Sequence, residues 1–571
     1  MARYSDFASS DEAVLVETDD FALVYDKQNR AFRKKRWSSS TKSWSNGWGA
    51  PCSAIVCKDA STVWAEDPYG KTIAQGEAGV DDASVIQSAL DSLAAERAWK
   101  ERVVLKGEFA IRATIEIPSY TELQIDGKLK ASDGFEGHLI ALVGDKTDID
   151  VTGGELDGNK DNRPSEWWSG IIGTAKNVRI MGTKIHDFPG DGIDIHKDYS
   201  LGYTDVENII IKDVHTYNNG AIGIYIGMGA SKAIIQNCYS YNNGALQTDK
   251  EGIFFDGAGV GNIVKNCYCY NNKGEGLFAS AQQHLTVKTL YTWDNGKCGI
   301  VVTGGLDKPN GIWVLSKHVT LENVHAYDNT VVGILIKDGV EDIKIKKGSV
   351  YSNGDNGLLV KMYSSDKIVK DVAIEDVFSK ANTYNCIEVA GFSATASIKN
   401  VAIKNCIAKN APTNYDGIRL NYVEKFIMEG CLAFDDQDTP TQDYGIKVIN
   451  GADGRISNCI VYSNVSGGVS VPDGIKVEKI IGYATENWGS KTFSGDGTTA
   501  DFEIGAHGLA ITDPSKIVVK VSPVSSDAIA ASPCVGYVDP ADNTKIRVKF
   551  ASAPASGADN VQIVWEAQVV S

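Results

Sequence analysis

Asp194 and His196, two residues apart in GDGIDIH (190–196), are the pair in this 571-residue chain that most clearly carries chemistry. Alternate side chains of an extended strand share a face, so this spacing sets a carboxylate beside an imidazole. The carboxylate can fix the ring tautomer, which leaves the other ring nitrogen free to move a proton. Further groups follow in GIYIG (223–227) and GIFFD (252–256), which present Tyr225, Phe254 and Asp256 at equivalent positions. Lys250 and Glu251 stand just before the second of these segments, Asp191 opens GDGIDIH's strand, and Phe278 in GLFAS (276–280) continues the row. A base, a cation and hydrogen-bond donors on one face suit removal of a proton next to a carboxylate whose charge must be neutralised.

Other groups carry two readings each. Asp157 in LDGN can be a substrate contact or a turn former. Trp167 and Trp168 in SEWWSG can stack on sugar rings or cover a coil end. Tyr225 can be an acid, a base or an aromatic platform. Lys337 and Lys361 recur at one position of two segments, where solvated lysines are the ordinary case.

The element that positions these residues is a repeat. A Gly-apolar-x-apolar-x pentad returns as GIDIH, GIYIG, GIFFD, GLFAS, GIVVT, GILIK, GLLVK, GIRLN, GIKVI and GVSVP between 192 and 472, and CIEVA (386–390) fits with Cys for Gly. A second motif, of the type TYNN, ends at Asn219, Asn243, Asn272, Asn295, Asn329 and Asn353. Its steps of 23 to 34 residues, with short alternating strands and no helical periodicity, predict the coils of a stacked solenoid. The apolar residues of each pentad face the core and positions three and five face outward. Coils lie roughly 4.8 Å apart, so Tyr225 falls beside Asp194 and Asp256 two coils, about 9.6 Å, from His196. Lys337, five coils away at roughly 24 Å, is then a distal subsite contact.

The predicted class is all-β: a right-handed single-stranded parallel β-helix over 103–484. DDASVIQSALDSLAAER (81–97) within a linker region 61–102 reads as an amphipathic capping helix. Residues 1–60 read as an attachment-like module, and 490–571 as a small β-sandwich.

With 57 Gly and 14 Pro the chain has the composition of a protein rich in tight turns. Its net charge of −17 argues against nucleic acid as partner. No stretch is long and apolar enough to insert in a membrane, and the N-terminus lacks the pattern of a signal peptide. The 11 cysteines include no C-x-x-C pair. The recurring Asn-Cys of Cys238, Cys267, Cys406 and Cys459 reads as a row of small buried thiols. No metal-ligand set or cofactor motif stands out, although Asp-rich turns leave structural calcium open.

LDGNKDN (156–162), GDGIDIH (190–196) and YDNTVVGILIK (327–337) resemble the pectate-lyase-like β-helix superfamily, specifically its mannuronan C5-epimerase and alginate lyase group. The resemblance implies functional roles for Asp157, Asp194, His196 and Lys337. The family's motif Tyr is Asp191 here, its Pro is Ile195, and its Arg-His pair falls on Lys250 and Glu251. DDFALVYDKQNRAFRKKRW and FSGDGTTADFEIGAHGL are similar to terminal modules of bacteriophage tailspikes. That likeness implies a virus-encoded depolymerase, extracellular or virion-associated, and a homotrimer.

The expected function is therefore a polysaccharide lyase or C5-epimerase on an acidic, alginate-like polysaccharide. The alternatives are an inverting glycoside hydrolase, whose carboxyl groups stand about 6.5–9.5 Å apart, and a non-catalytic glycan-binding tail fibre. Asp194 with Asp256, or Asp191 with Glu251, would supply the hydrolase pair.

Overall fold

The computed structural model describes residues 52–163, 167–247, 250–307, 311–482, 486–509 and 511–569, together with the backbone of four antiparallel strands between Glu12 and Asn46. The expected N-terminal module of residues 1–60 lies mostly outside the described side chains. Most of the remaining chain winds as a right-handed parallel β-solenoid of about 12 turns. It divides into two compact units, residues 1–274 with 307–311, and residues 275–306 with 312–571.

In the first unit the pentads and their upstream equivalents form one parallel sheet. Its strands are β1 (Ile115–Glu116), β2 (Ile140–Leu142), β3 (Ile171–Gly173), β4 (Ile193–His196), β5 (Ile224–Gly227) and β6 (Ile253–Phe255). Each pairs with the next without slippage, so Ile193, Ile224 and Ile253 stack inside and Asp194, Tyr225 and Phe254 stack outside. The second unit repeats this with β7 (Leu277–Ser280), β8 (Ile300–Thr303), β9 (Ile334–Lys337), β10 (Leu358–Lys361), β11 (Ile387–Ala390), β12 (Ile418–Asn421), β13 (Tyr444–Val448) and β14 (Gly467–Ser470).

The corners divide labour between the two asparagines of the TYNN motif. Asn218, Asn242 and Asn271 take the left-handed conformation, with φ of 56°, 56° and 54°, which Asn tolerates better than most residues. The following Asn points inward and is buried. Asn219 donates its amide to Asn243 Oδ1 at 3.0 Å, and Asn243 donates to Asn272 Oδ1 at 3.0 Å. In the second unit Asn295, Asn329, Asn353 and Asn382 form the same ladder at 2.9 to 3.1 Å. Truncating a rung leaves buried amide partners unpaired, at about 1–3 kcal/mol each. Outside the same corners, Tyr217, Tyr241 and Tyr270 stack with ring centroids 5.0 and 4.8 Å apart.

The cysteines match the thiol-row reading. All are free, and Cys238, Cys267, Cys406 and Cys459 are fully buried. Each donates to the carbonyl two residues earlier, as Cys238 does to Gln236 at 3.2 Å.

Helix α1 (Asp82–Asp91) buries Val85, Ile86, Ala89 and Leu90 against the solenoid's start. Its fully buried Asp82 is neutralised by Lys58 Nζ at 2.7 Å and accepts from Ala110 N. Strands Thr62–Glu66 and Thr72–Glu77 occupy the stretch read as linker; they pair with each other, and the first also pairs with Ala54–Lys58. Ala54–Lys58 in turn joins the first long coil strand, Glu101–Ile111. At the C-terminus two three-stranded antiparallel sheets enclose Ile504, Ile546, Val548, Phe550, Val561 and Ile563, a small sandwich.

Candidate functional site

β4 and β5 place the Asp194–His196 pair and Tyr225 side by side. Ile193 and Ile195 anchor the strand in the core, which leaves the two polar side chains on the outer face. His196 Nδ1 lies 2.6 Å from Asp194 Oδ1, so Nε2 is the ring nitrogen left for other partners. Burial disfavours the charged ring, but the bond from Asp194 and the nearby Asp198 and Asp191 outweigh it and raise the pKa above the usual imidazole value. The Tyr225 ring lies 6.3 Å from that of His196 and 5.4 Å from that of Phe254.

Tyr225 donates its hydroxyl to Asp256 Oδ2 at 3.2 Å. Burial and the carboxylates of Asp256 and Asp194 hold the phenol proton far more tightly than in water. A phenol proton held this tightly suits a hydrogen-bond donor better than a base.

Asp191 sits one residue before the pentad glycine, at the floor of the same face. Its Oδ1 accepts from Ile222 N at 2.7 Å. Burial first, and then the Asp194 charge, push its carboxyl up to about 8, against the opposing pull of Lys250. Asp191 is thus mostly protonated at neutral pH.

Asp191, Tyr225, Lys250, Phe254 and Asp256 line a cleft of ≈ 290 Å³, together with Gln247 and Trp167. Trp167 stands at the rim, 71% exposed. Glu251 is buried, and its charge adds to the upward push on Asp191.

The surroundings of four further expected residues are also defined. Asp157 lies on a different sheet, where Lys128 Nζ holds it at 2.6 Å and Glu155 at 2.8 Å. Glu155, Asp157 and His186 have the donor types of a metal set, but the Lys128 ammonium already supplies the positive charge between the two carboxylates. The Trp168 ring stands nearly perpendicular to that of His138, 5.1 Å between centroids. Phe278 belongs to the second unit and packs on an apolar cluster of Cys298, Val301, Val332, Leu335 and Leu359. Lys337 Nζ lies 6.0 Å from the centre of that Phe278 ring.

His138 is a candidate that the repeat did not reveal. It precedes β2 in GHLIA, out of phase with the pentads, and it feels the charges of both Asp194 and His196. Burial lowers its pKa, and Ser169 N donates to its Nδ1 at 3.0 Å, which places the proton on Nε2. Only the departure of a polar residue from the Gly-apolar pattern at 137–138 signals it in sequence.

Residues 160–310 match the family model described as right handed beta helix region. No curated protein matches the chain. Among solved structures it is similar to the A-module of a mannuronan C-5 epimerase from Azotobacter vinelandii, with 16% identity, 71% of this chain and 93% of that one covered, and a TM-score of 0.41. It is also similar to a mutant tailspike protein of E. coli bacteriophage HK620, at 11% identity over 88% of this chain and 92% of that one, TM-score 0.47. A third is PfbA, a surface adhesin of Streptococcus pneumoniae, at 13% identity over 71% and 89%, TM-score 0.37. The family match and the strand register within each unit agree that the chain is a right-handed parallel β-helix.

Proposed function

We propose that the chain binds an acidic, uronate-containing polysaccharide across the outer face of β4 to β6 and removes the C5 proton of a sugar residue, as a lyase or a C5-epimerase. The observation that carries this reading is the Asp194–His196 pair, set against a carboxyl that burial keeps protonated. Lys250 and the Asp191 proton neutralise the sugar carboxylate, which makes the adjacent C5–H bond acidic. His196 Nε2 takes that proton, and Asp194 stabilises the resulting imidazolium through Nδ1. The C5–H electron pair moves into the carboxylate to give an enediolate, hydrogen-bonded by Asp191. The C4 oxygen then leaves with the proton that His196 Nε2 took, giving a C4–C5 double bond, the lyase outcome; delivery of a proton from water to the opposite face of C5, with His196 returning its own proton to solvent, is the epimerase outcome. Trp167 and Phe254 offer flat apolar surfaces to the sugar rings.

A second reading, an inverting glycoside hydrolase, draws on the same raised Asp191 carboxyl, since a protonated acid near further carboxyl groups such as Asp194 and Asp256 is what glycosidic cleavage uses. Incubation with acidic and neutral polysaccharides separates the outcomes. Ultraviolet-absorbing unsaturated ends identify the lyase, and altered uronate composition at constant chain length identifies the epimerase. New reducing ends without absorbance identify the hydrolase and overturn the C5 reading. The resemblance of the termini supports a virus-encoded homotrimer acting outside the cell, which sedimentation of the purified chain tests.

A further inference from the structure

The position held by Asp191 before its pentad glycine recurs in the second unit as Asp416, in YDGIRLN (415–421). Asp416 is fully buried. Its Oδ1 accepts from Tyr444 N at 3.2 Å, whereas Oδ2 is buried with no hydrogen-bond partner among the described residues. Strand register sets Arg419 between Glu388 and Lys447 on the outer face of β11, β12 and β13. Arg419 Nη1 is 3.6 Å from Asp416 Oδ2 and Lys447 Nζ 3.9 Å from Asp416 Oδ1. Those are ion-pair distances too long for good hydrogen bonds. Arg419 Nε, 3.9 Å from Glu388 Oε1, is likewise buried without a hydrogen bond. Lys447 also reaches Asp443 Oδ2 at 3.2 Å and lies over the Tyr444 ring, 4.6 Å from its centre. The Tyr415 ring, edge to face with Tyr384 at 4.6 Å, flanks the cluster.

The acid is fully buried, but the Arg419 and Lys447 side chains stay 27% and 25% exposed, so both cations are open to a further partner from solvent. The planar Arg fork suits a carboxylate. Burial raises the Asp416 carboxyl to about 6 despite the opposing pull of Lys447 and Arg419, so this counter-ion is weakly held beneath the two cations.

We propose that Arg419 and Lys447, over the buried Asp416, form a second glycan subsite in the second unit, which takes the carboxylate of an acidic sugar, with Tyr415 and Tyr444 beside its ring. The proposal rests on the reading of the substrate as a uronate polymer, but not on the reaction performed at His196.

Calorimetric titration of the full chain with oligomannuronate and oligogalacturonate tests it, in a His196→Ala background to prevent turnover. Arg419→Gln and Lys447→Gln should each weaken binding about tenfold, the loss expected for one charge-assisted contact. Asp416→Asn, nearly the same shape, should bind severalfold more tightly at neutral pH, because the competing carboxylate is gone while its hydrogen-bonding capacity stays. A purely structural ion cluster would lose affinity or show no change in that variant. Unchanged affinity in Arg419→Gln, or no gain in Asp416→Asn, overturns the subsite, as does failure of both oligomers to bind. Arg419-dependent binding by a wild-type chain that leaves both oligomers chemically intact would sustain the subsite and count against the C5 reaction alone.

Discussion

Asp191→Asn keeps the shape of the carboxyl and its bond from Ile222 N while removing a group that burial holds protonated. An unfolded Asp loses its proton near 3.9, roughly three pH units below neutrality. The folded group titrates near 8. Folding at pH 7 must therefore take up a proton, at a cost of up to about 4 kcal/mol. Water reaches the cleft side of the residue, which reduces the realised cost to about 2 kcal/mol. The sign follows from the raised value: the wild-type group costs nothing below about pH 4, and its penalty grows as pH rises towards 8. The Asn variant carries no such penalty. Urea midpoints of both proteins, measured at pH 4, 5.5, 7 and 8, should coincide at the acid end and separate in favour of the variant as pH increases. The variant should lose turnover over the same range, so the group trades stability for function. A stability gap that does not change with pH, or a variant less stable at pH 8, would refute the reasoning.

His196→Ala should lower kcat by about a hundredfold or more with little change in folding, since it removes the base but no core contact. The pH profile of kcat/KM should be bell-shaped, rising above the ordinary imidazole range as His196 loses its proton and falling near 8 as Asp191 does. Asp157→Asn should leave turnover intact, with its effect confined to stability through the loss of the Lys128 pair, as read by thermal melting beside steady-state rates. Lys337→Ala should raise KM modestly and spare kcat, and a drop in kcat would place it in the chemical step.

Sequence reasoning reaches furthest where one residue's environment repeats. The inward isoleucines of GIDIH and GIYIG and the outward Asp194 and Tyr225 follow from strand alternation alone, and the strands pair in that register. It stops where partners come from unrelated loops. Nothing local says that Lys128 opposes Glu155 and captures Asp157 on another sheet. Val301, Leu335 and Leu359 occupy outward positions yet are buried, because Cys298, Val331 and Val332 pack over them. His138 escapes for the same reason. Its place follows from coil stacking upstream of the first recognisable pentad.

The buried asparagine ladder also separates what the coils must keep from what they can change. Each rung constrains one corner, while the step between successive rungs varies from 24 to 34 residues without breaking the Asn219–Asn272 or Asn295–Asn382 series. Insertions between corners are therefore nearly independent of the scaffold. A lineage built on this plan can lengthen one loop at a time and remodel the surface a glycan meets, with the metre of the stack left untouched.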